Sequence, residues 1–166
     1  MTTKPGTERR KITMERVFAS SIDDVWELWT TKDGIESWRG PEGFRVEVRR
    51  MDLRAGGGLD YAMIAEKPEM IAFMERSGMP VVTEAHITYA EISPKTRLRY
   101  LHATNFVPGV EPYDVEHDVK IEQTASGVRM TLTIDAMHDE EWTKRAVMGW
   151  ESEIGKLAKV LEASRN

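Results

Sequence analysis

The sequence predicts one α+β domain: a curved antiparallel sheet of about seven strands with a long helix laid across one face. Three observations carry that expectation. Apolar residues alternate along most of the stretch from Phe44 to Ala136, as they do in half-buried strands. The breaks between those segments are short and rich in Gly, Pro and Ser, which suits hairpins rather than crossovers. From Trp142 to Leu161 the apolar residues instead recur at helical spacing.

Ile12, Met14, Val17 and Ala19 read as a first strand with a slip in its alternation. Ser20 and Ser21 follow as N-cap candidates for a helix whose stripe is Ile22, Val25, Trp26 and Trp29, with Asp23 and Asp24 in the first turn. Lys32 to Trp38 reads as a second short helix, closed by Gly40-Pro41 and Gly43. Phe44, Val46 and Val48 share one parity, but the apolar set resumes at Met51 and Leu53. Arg49-Arg50 therefore marks an expected bulge.

Gly56-Gly57-Gly58 turns the chain into Leu59, Tyr61 and Met63. It is not a phosphate loop, because neither a Lys-Ser/Thr pair nor a helix follows. Glu66 to Pro80 interrupts the alternation as a lid-like insert with a short helix carrying Met70, Ile71, Phe73 and Met74. Val81 to Ile92, Arg97 to Thr104, Tyr113 to Gln123 and Val128 to Ala136 complete the strands, with turns at Ser93-Pro94, Pro108-Gly109 and Ser126-Gly127. Asp139 is a candidate N-cap for the last helix, whose stripe is Trp142, Ala146, Trp150, Glu153, Leu157 and Leu161. One such helix cannot fill a strongly curved sheet, so an apolar cavity between the two is expected to hold a small hydrophobic or aromatic molecule.

Composition narrows the classes of function. At 166 residues the chain suits one domain that buries roughly 70% of its unfolded surface. Residues 12–163 are expected to form that domain, with residues 1–11 as a flexible N-terminal arm whose Arg9-Arg10-Lys11 cluster is solvated. A net charge of −5 argues against nucleic acid as a partner. The chain contains no cysteine, and no stretch nears the ~20 apolar residues of a membrane span, so a cytoplasmic protein without a membrane-spanning segment is expected. Its 10 methionines suggest a malleable interior.

Five segments occur in order: VWELWTTKDGIESWRGPEGF (Val25 to Phe44), DLRAGGGLDY (Asp52 to Tyr61), EISPKTRLRYL (Glu91 to Leu101), GVRMTLTI (Gly127 to Ile134) and GWESEIGKLAKVLEA (Gly149 to Ala163). Together they resemble the heat-shock-protein ATPase activator-like family of the START-like (SRPBCC) superfamily, over Ile12 to Ala163. The resemblance implies a helix-grip fold with a hydrophobic tunnel between sheet and terminal helix. That superfamily holds carriers, cyclases and aromatases, ligand receptors and co-chaperone domains. The implied functions are therefore ligand binding, a cyclase-, aromatase- or hydrolase-like reaction, or activation of a heat-shock-protein ATPase. A homodimer is compatible with the resemblance, although no self-complementary stripe demands one. The chain departs from the family where Trp38-Arg39 stands in place of Trp-Trp, which puts a cation near the cavity rim, and where the Glu66 to Pro80 insert exceeds a tight hairpin.

The expected ligand-binding residues are Trp38, Phe44, Met51, Tyr61, Met63, Tyr89, Tyr100, His102, His117, Met130, Trp142 and Trp150. Aromatic and Met side chains would wall the space, although such stripes more often simply bury area. His102 shares parity with Leu98 and Tyr100, and His117 with Val115 and Val119, so both imidazoles are expected on the inner face. There they are either hydrogen-bonded core residues, anchors for a ligand oxygen, or acid/base groups. No catalytic residue, metal site or cofactor is assigned: no nucleophile stands beside a base, and Asp114 and Glu116 have the wrong parity to join His117.

Overall fold

The computed structural model describes residues 9–164 apart from Phe106 and Pro108. The elements run β1 (Lys11–Phe18), α1 (Ile22–Thr30), α2 (Lys32–Trp38), β2 (Phe44–Met51), β3 (Gly58–Ala65), α3 (Pro68–Arg76), β4 (Val82–Ser93), β5 (Arg97–Thr104), β6 (Tyr113–Thr124), β7 (Gly127–Asp135) and α4 (Glu140–Ser164). Every neighbouring pair of strands is antiparallel, in the order β1-β7-β6-β5-β4-β3-β2. This is the α+β helix-grip arrangement. Because β1 and β2 are consecutive in sequence but lie on opposite edges, α1 and α2 must carry the chain from one edge to the other.

Local chemistry sets the boundaries. Ser21 caps α1 by accepting a hydrogen bond from Asp24 N at 3.1 Å, and Asp139 caps α4 by accepting from Trp142 N at 2.8 Å. The register slips between Val48 and Arg50, where the Arg49-Arg50 bulge was expected, and again between Tyr89 and Glu91. Each bulge bends its strand and sharpens the sheet's curvature. At about 1.5 Å per residue, the 25 residues of α4 reach across the whole width of that curve. They bury Trp150, Glu153, Ile154, Leu157, Ala158 and Leu161 against it.

One expectation is corrected at the N-terminal end. β1 has no slip: it pairs with β7 in unbroken register, Phe18 is the buried residue, and Val17 is 46% exposed. In Arg9-Arg10-Lys11 the side chains of Arg10 and Lys11 are 54% and 51% exposed, and each residue also finds a partner. Arg9 donates to Ala136 O at 3.1 Å, Arg10 pairs with Glu140 at 2.6 Å, and Lys11, the first residue of β1, pairs with Asp135. The β1–β7 register sets Lys11 beside Asp135, so strand pairing delivers the ion pair. The remainder of the expected arm, residues 1–8, and part of the Pro108-Gly109 turn lie outside the described residues.

The insert forms α3, which covers a small separate apolar cluster of Phe44, Ala65 and Met74 with Met63, Met70, Ile71 and Val81 at its margin. The main core lies between the sheet and helices α1, α2 and α4.

Candidate functional site

The chain leaves α2 through Arg39, whose extended backbone (φ −68°, ψ 155°) ends the helix, and turns at Gly40. Gly40 has φ +89°, a conformation that disfavours side chains, and an added Cβ would meet Val46 at 3.3 Å. That turn aims the Arg39 guanidinium into the interior, where the residue is only 5% exposed. Its partner comes from α4. Glu153 Oε1 accepts from Arg39 Nε at 2.9 Å and from Gly40 N at 2.9 Å. One turn later, Lys156 Nζ donates to Gly40 O at 2.8 Å. The guanidinium carbon also lies 4.9 Å from the Trp150 ring centroid, 5.4 Å from that of Tyr61 and 5.5 Å from that of Trp38. Aromatic faces and one carboxylate thus replace the water a cation loses on burial.

The protons in this centre have fixed directions. His102 Nδ1 faces Ala103 O at 3.1 Å, and a carbonyl can only accept, so Nδ1 carries the hydrogen and Nε2 is the acceptor. Tyr61 Oη therefore donates to His102 Nε2, at 3.2 Å, while accepting from Arg39 Nη2 at 3.3 Å. The same reasoning applies to His117. Its Nδ1 donates to Val115 O at 3.2 Å, and its Nε2 accepts from Trp150 Nε1, also at 3.2 Å. An indole N–H cannot accept, so the one basic nitrogen of His117 is occupied and offers no general base to a substrate.

Burial determines the charges. It lowers the pKa of His102 to about 4, with the neighbouring Arg39 charge adding to the effect, and it holds His117 well below the usual imidazole range. Both rings are neutral near pH 7. Burial opposes the Arg39 charge as well, but Tyr61 and Glu153 more than offset it and raise its pKa above the ordinary value. It also raises Tyr61, brings Tyr89 to about 12 and raises Tyr100 further. The centre is therefore one cation, one carboxylate and a set of neutral rings.

Seven of the twelve expected ligand-binding residues converge here. Trp38, Tyr61 and Trp150 surround Arg39. The register places Tyr89, Tyr100 and His117 in one row across β4, β5 and β6. The His102 and His117 ring centroids are 5.8 Å apart. The other five lie elsewhere. Phe44 and Met63 belong to the cluster under α3, Met130 is wholly buried opposite Ile121, Met51 ends β2 opposite Leu59, and Trp142 sits beside His138 beneath Arg145.

Sequence reasoning missed the centre's two ions. Glu153 stood in the apolar stripe of α4 without a role, and Arg39 was placed at a rim rather than inside. A charged residue amid an inward stripe was the available signal. The expected open apolar cavity also differs from what is found at this level. Trp150 reaches His117 directly, and Trp29, Trp38 and Trp150 pack at centroid distances of 4.7–6.2 Å, so side chains bridge helix and sheet around a polar middle. Tyr100 and His117 are closed off, whereas His102 and Met63, of the same inward parity, are only partly buried. Two hollows open elsewhere, one of about 520 Å³ over Lys95, Arg97 and Lys120 and one of about 100 Å³ between Phe18 and Leu161. Among the described residues no cluster of His, Asp and Glu has the makings of a metal site.

Residues 19–162 match the family model described as activator of Hsp90 ATPase homolog 1-like protein. The chain belongs to this family. Solved structures agree on the fold. A protein from Chromobacterium violaceum superposes with TM-score 0.75 at 22% identity, over 92% of this chain and 96% of that one. The AHSA1 protein of Silicibacter pomeroyi gives 0.73 at 19% identity over 93% and 99%, and an AHSA1-like protein of Aeromonas hydrophila gives 0.71 at 20% identity over 93% and 94%. At such identities the likeness concerns the fold alone. No curated protein matches the chain. Among the described residues, no helix is long and apolar enough to cross a membrane.

Proposed function

We propose that this member of the family binds a small, mainly apolar molecule on the inner face of the sheet, as a cytoplasmic carrier or sensor. The guest sits against the Arg39–Tyr61–His102 chain and is reached where His102 and Met63 are incompletely covered. The observation that supports this reading is the chain itself, a buried cation walled by aromatic rings and linked through Tyr61 to a partly covered neutral imidazole. A buried ion pair contributes little net stability, whereas a few convergent polar groups in an apolar wall are the usual make-up of a ligand site.

Native mass spectrometry of the protein purified from its own source tests this. An organic adduct is expected, and Met63→Trp, which adds bulk where that side chain is only partly buried, should lose it. A bare polypeptide mass from the native source would remove the reading. The family description supports a second reading, a heat-shock-protein ATPase as partner, for which the exposed Phe73, Met79 and Val82 around α3 offer a surface. Stimulation of such an ATPase that Phe73→Asp abolishes is the expected result there.

A further inference from the structure

We propose that the outer face of the sheet carries a second, hydrolytic site, in which Thr88 attacks small activated esters with His86 as its base and Asp60 orienting that base. It stands apart from the binding reading above. The sheet register builds it. Arg50, Asp60 and His86 stand opposite one another on β2, β3 and β4, and Gly58, Thr88 and Leu101 form the next row on β3, β4 and β5. These positions alternate with the buried Leu59, Tyr61 and Ile87, so they face away from the core.

The protons follow from what can donate. His86 Nδ1 meets Asp60 Oδ1 at 2.5 Å, and the bonds from His86 and Arg50 hold Asp60 below the usual carboxylate range. A carboxylate only accepts, so in the neutral ring Nδ1 carries the hydrogen and Nε2 is the base. Its neighbour at 3.3 Å is Thr88 Oγ1, which must then donate. Where the base of His117 is held by a buried indole, that of His86 is turned to a hydroxyl on a side chain 47% exposed. Carboxylate, imidazole and hydroxyl thus stand in the order of a nucleophile activated by an oriented base.

A cation completes the arrangement. Arg50 donates to Asp60 Oδ2 through Nε at 3.0 Å, which leaves its outer nitrogens free to face a developing oxyanion. Gly58, opposite Thr88, has no side chain to keep them away: a Cβ there would lie 3.4 Å from Arg50 Nη2 and 3.3 Å from His86 Cε1.

In the reaction Thr88 Oγ1 bonds to the carbonyl carbon while its proton passes to His86 Nε2. The bond to the leaving oxygen then breaks, and that oxygen takes the proton from Nε2 and departs as an alcohol. Water cleaves the acyl-threonine by the same route, returning a proton to Oγ1 and releasing a carboxylic acid. An open face suits a short acyl chain, and the half-buried Leu101 opposite Thr88 offers apolar surface to the leaving group.

The test uses 4-nitrophenyl acetate with the full chain, following nitrophenol release and locating acetyl groups by peptide mass mapping after an acid quench. Saturable release and an acetyl group on Thr88 are expected. His86→Gln should slow acylation about 100-fold. Thr88→Ala should abolish the adduct, while Thr88→Ser, which keeps a hydroxyl, should still be acetylated. Asp60→Asn should lower the maximal rate without raising the half-saturating concentration, a split that mere loosening of the strands would not give. Release that survives Thr88→Ala, acetylation of His86 or lysines in place of Thr88, or no saturable release would overturn the proposal.

Discussion

On the outer face of the sheet, Arg99 lies between Glu116 at 3.1 Å and Glu91 at 3.2 Å, and all three side chains are about one-third exposed. On the inner face, Arg39 meets Glu153 at 2.9 Å, with side chains 6% and 11% exposed. The contact lengths are nearly the same, yet the environments make them different objects. The outer group stays in contact with water, which screens it and substitutes for any partner removed. In the inner pair each ion is the other's main replacement for water, so neither can be removed cheaply. The outer group keeps a sheet face soluble, while the inner pair ties α2 to α4 through one carboxylate and holds a polar group in an apolar interior.

The largest effect expected from this contrast is on stability. Glu153→Ala leaves the guanidinium buried without its carboxylate and should lower the unfolding free energy by about 3–5 kcal/mol. Replacing both ions, as Arg39→Met with Glu153→Met, should recover most of that loss, because two apolar side chains need no partner. Urea unfolding of the two variants beside the parent measures it. A double variant as unstable as the single would mean that the pair contributes more than mutual neutralisation.

The next effect concerns pH. The His102 pKa is about 4 in the folded chain, against an ordinary 6.5. Between those values the unfolded chain binds a proton that the folded chain refuses. Stability from this source is therefore complete above about pH 6.5 and is lost as the pH falls towards 4, by on the order of 2–3 kcal/mol. His117, depressed in the same direction, adds to the slope. His102→Gln should have a visibly shallower decline from pH 7 to pH 4.5 than the parent. Parallel curves would show that the folded chain does not hold His102 neutral and would weaken the contrast between the faces.

How far this contrast could be read in the sequence depends on which face carries it. The outer face was legible: Arg97, Arg99, Glu116, Asp118 and Lys120 alternate with apolar residues, and alternation alone predicts a solvated row. Parity also placed His102 and His117 inward, because side-chain direction in a strand follows from counting. The bulge at Arg49-Arg50 was legible because a break in parity has few other causes. The Arg39–Glu153 pair was not, since it joins residues 114 apart and depends on how α2 ends and how α4 is rotated. The run of four strand residues from Glu15 to Phe18 misled for a related reason. Val17 looks like a core residue by composition, but unbroken pairing with β7 turns Phe18 inward and Val17 out.

The smallest expected effect is the one that best isolates the environment. Arg99→Met removes a cation from two carboxylates at once, and a count of contacts would rank it above any change to the singly paired Arg39. Solvent argues the opposite. Arg99 keeps a third of its side chain in water, and both carboxylates remain hydrated after it is gone. The loss should stay below about 1 kcal/mol and shrink further in 0.5 M salt, which screens exposed charges over a few ångströms. Urea unfolding at low and high salt separates the cases. A loss as large as that of Glu153→Ala, or one indifferent to salt, would show that the number of ionic contacts, and not their distance from water, governs charge in this fold.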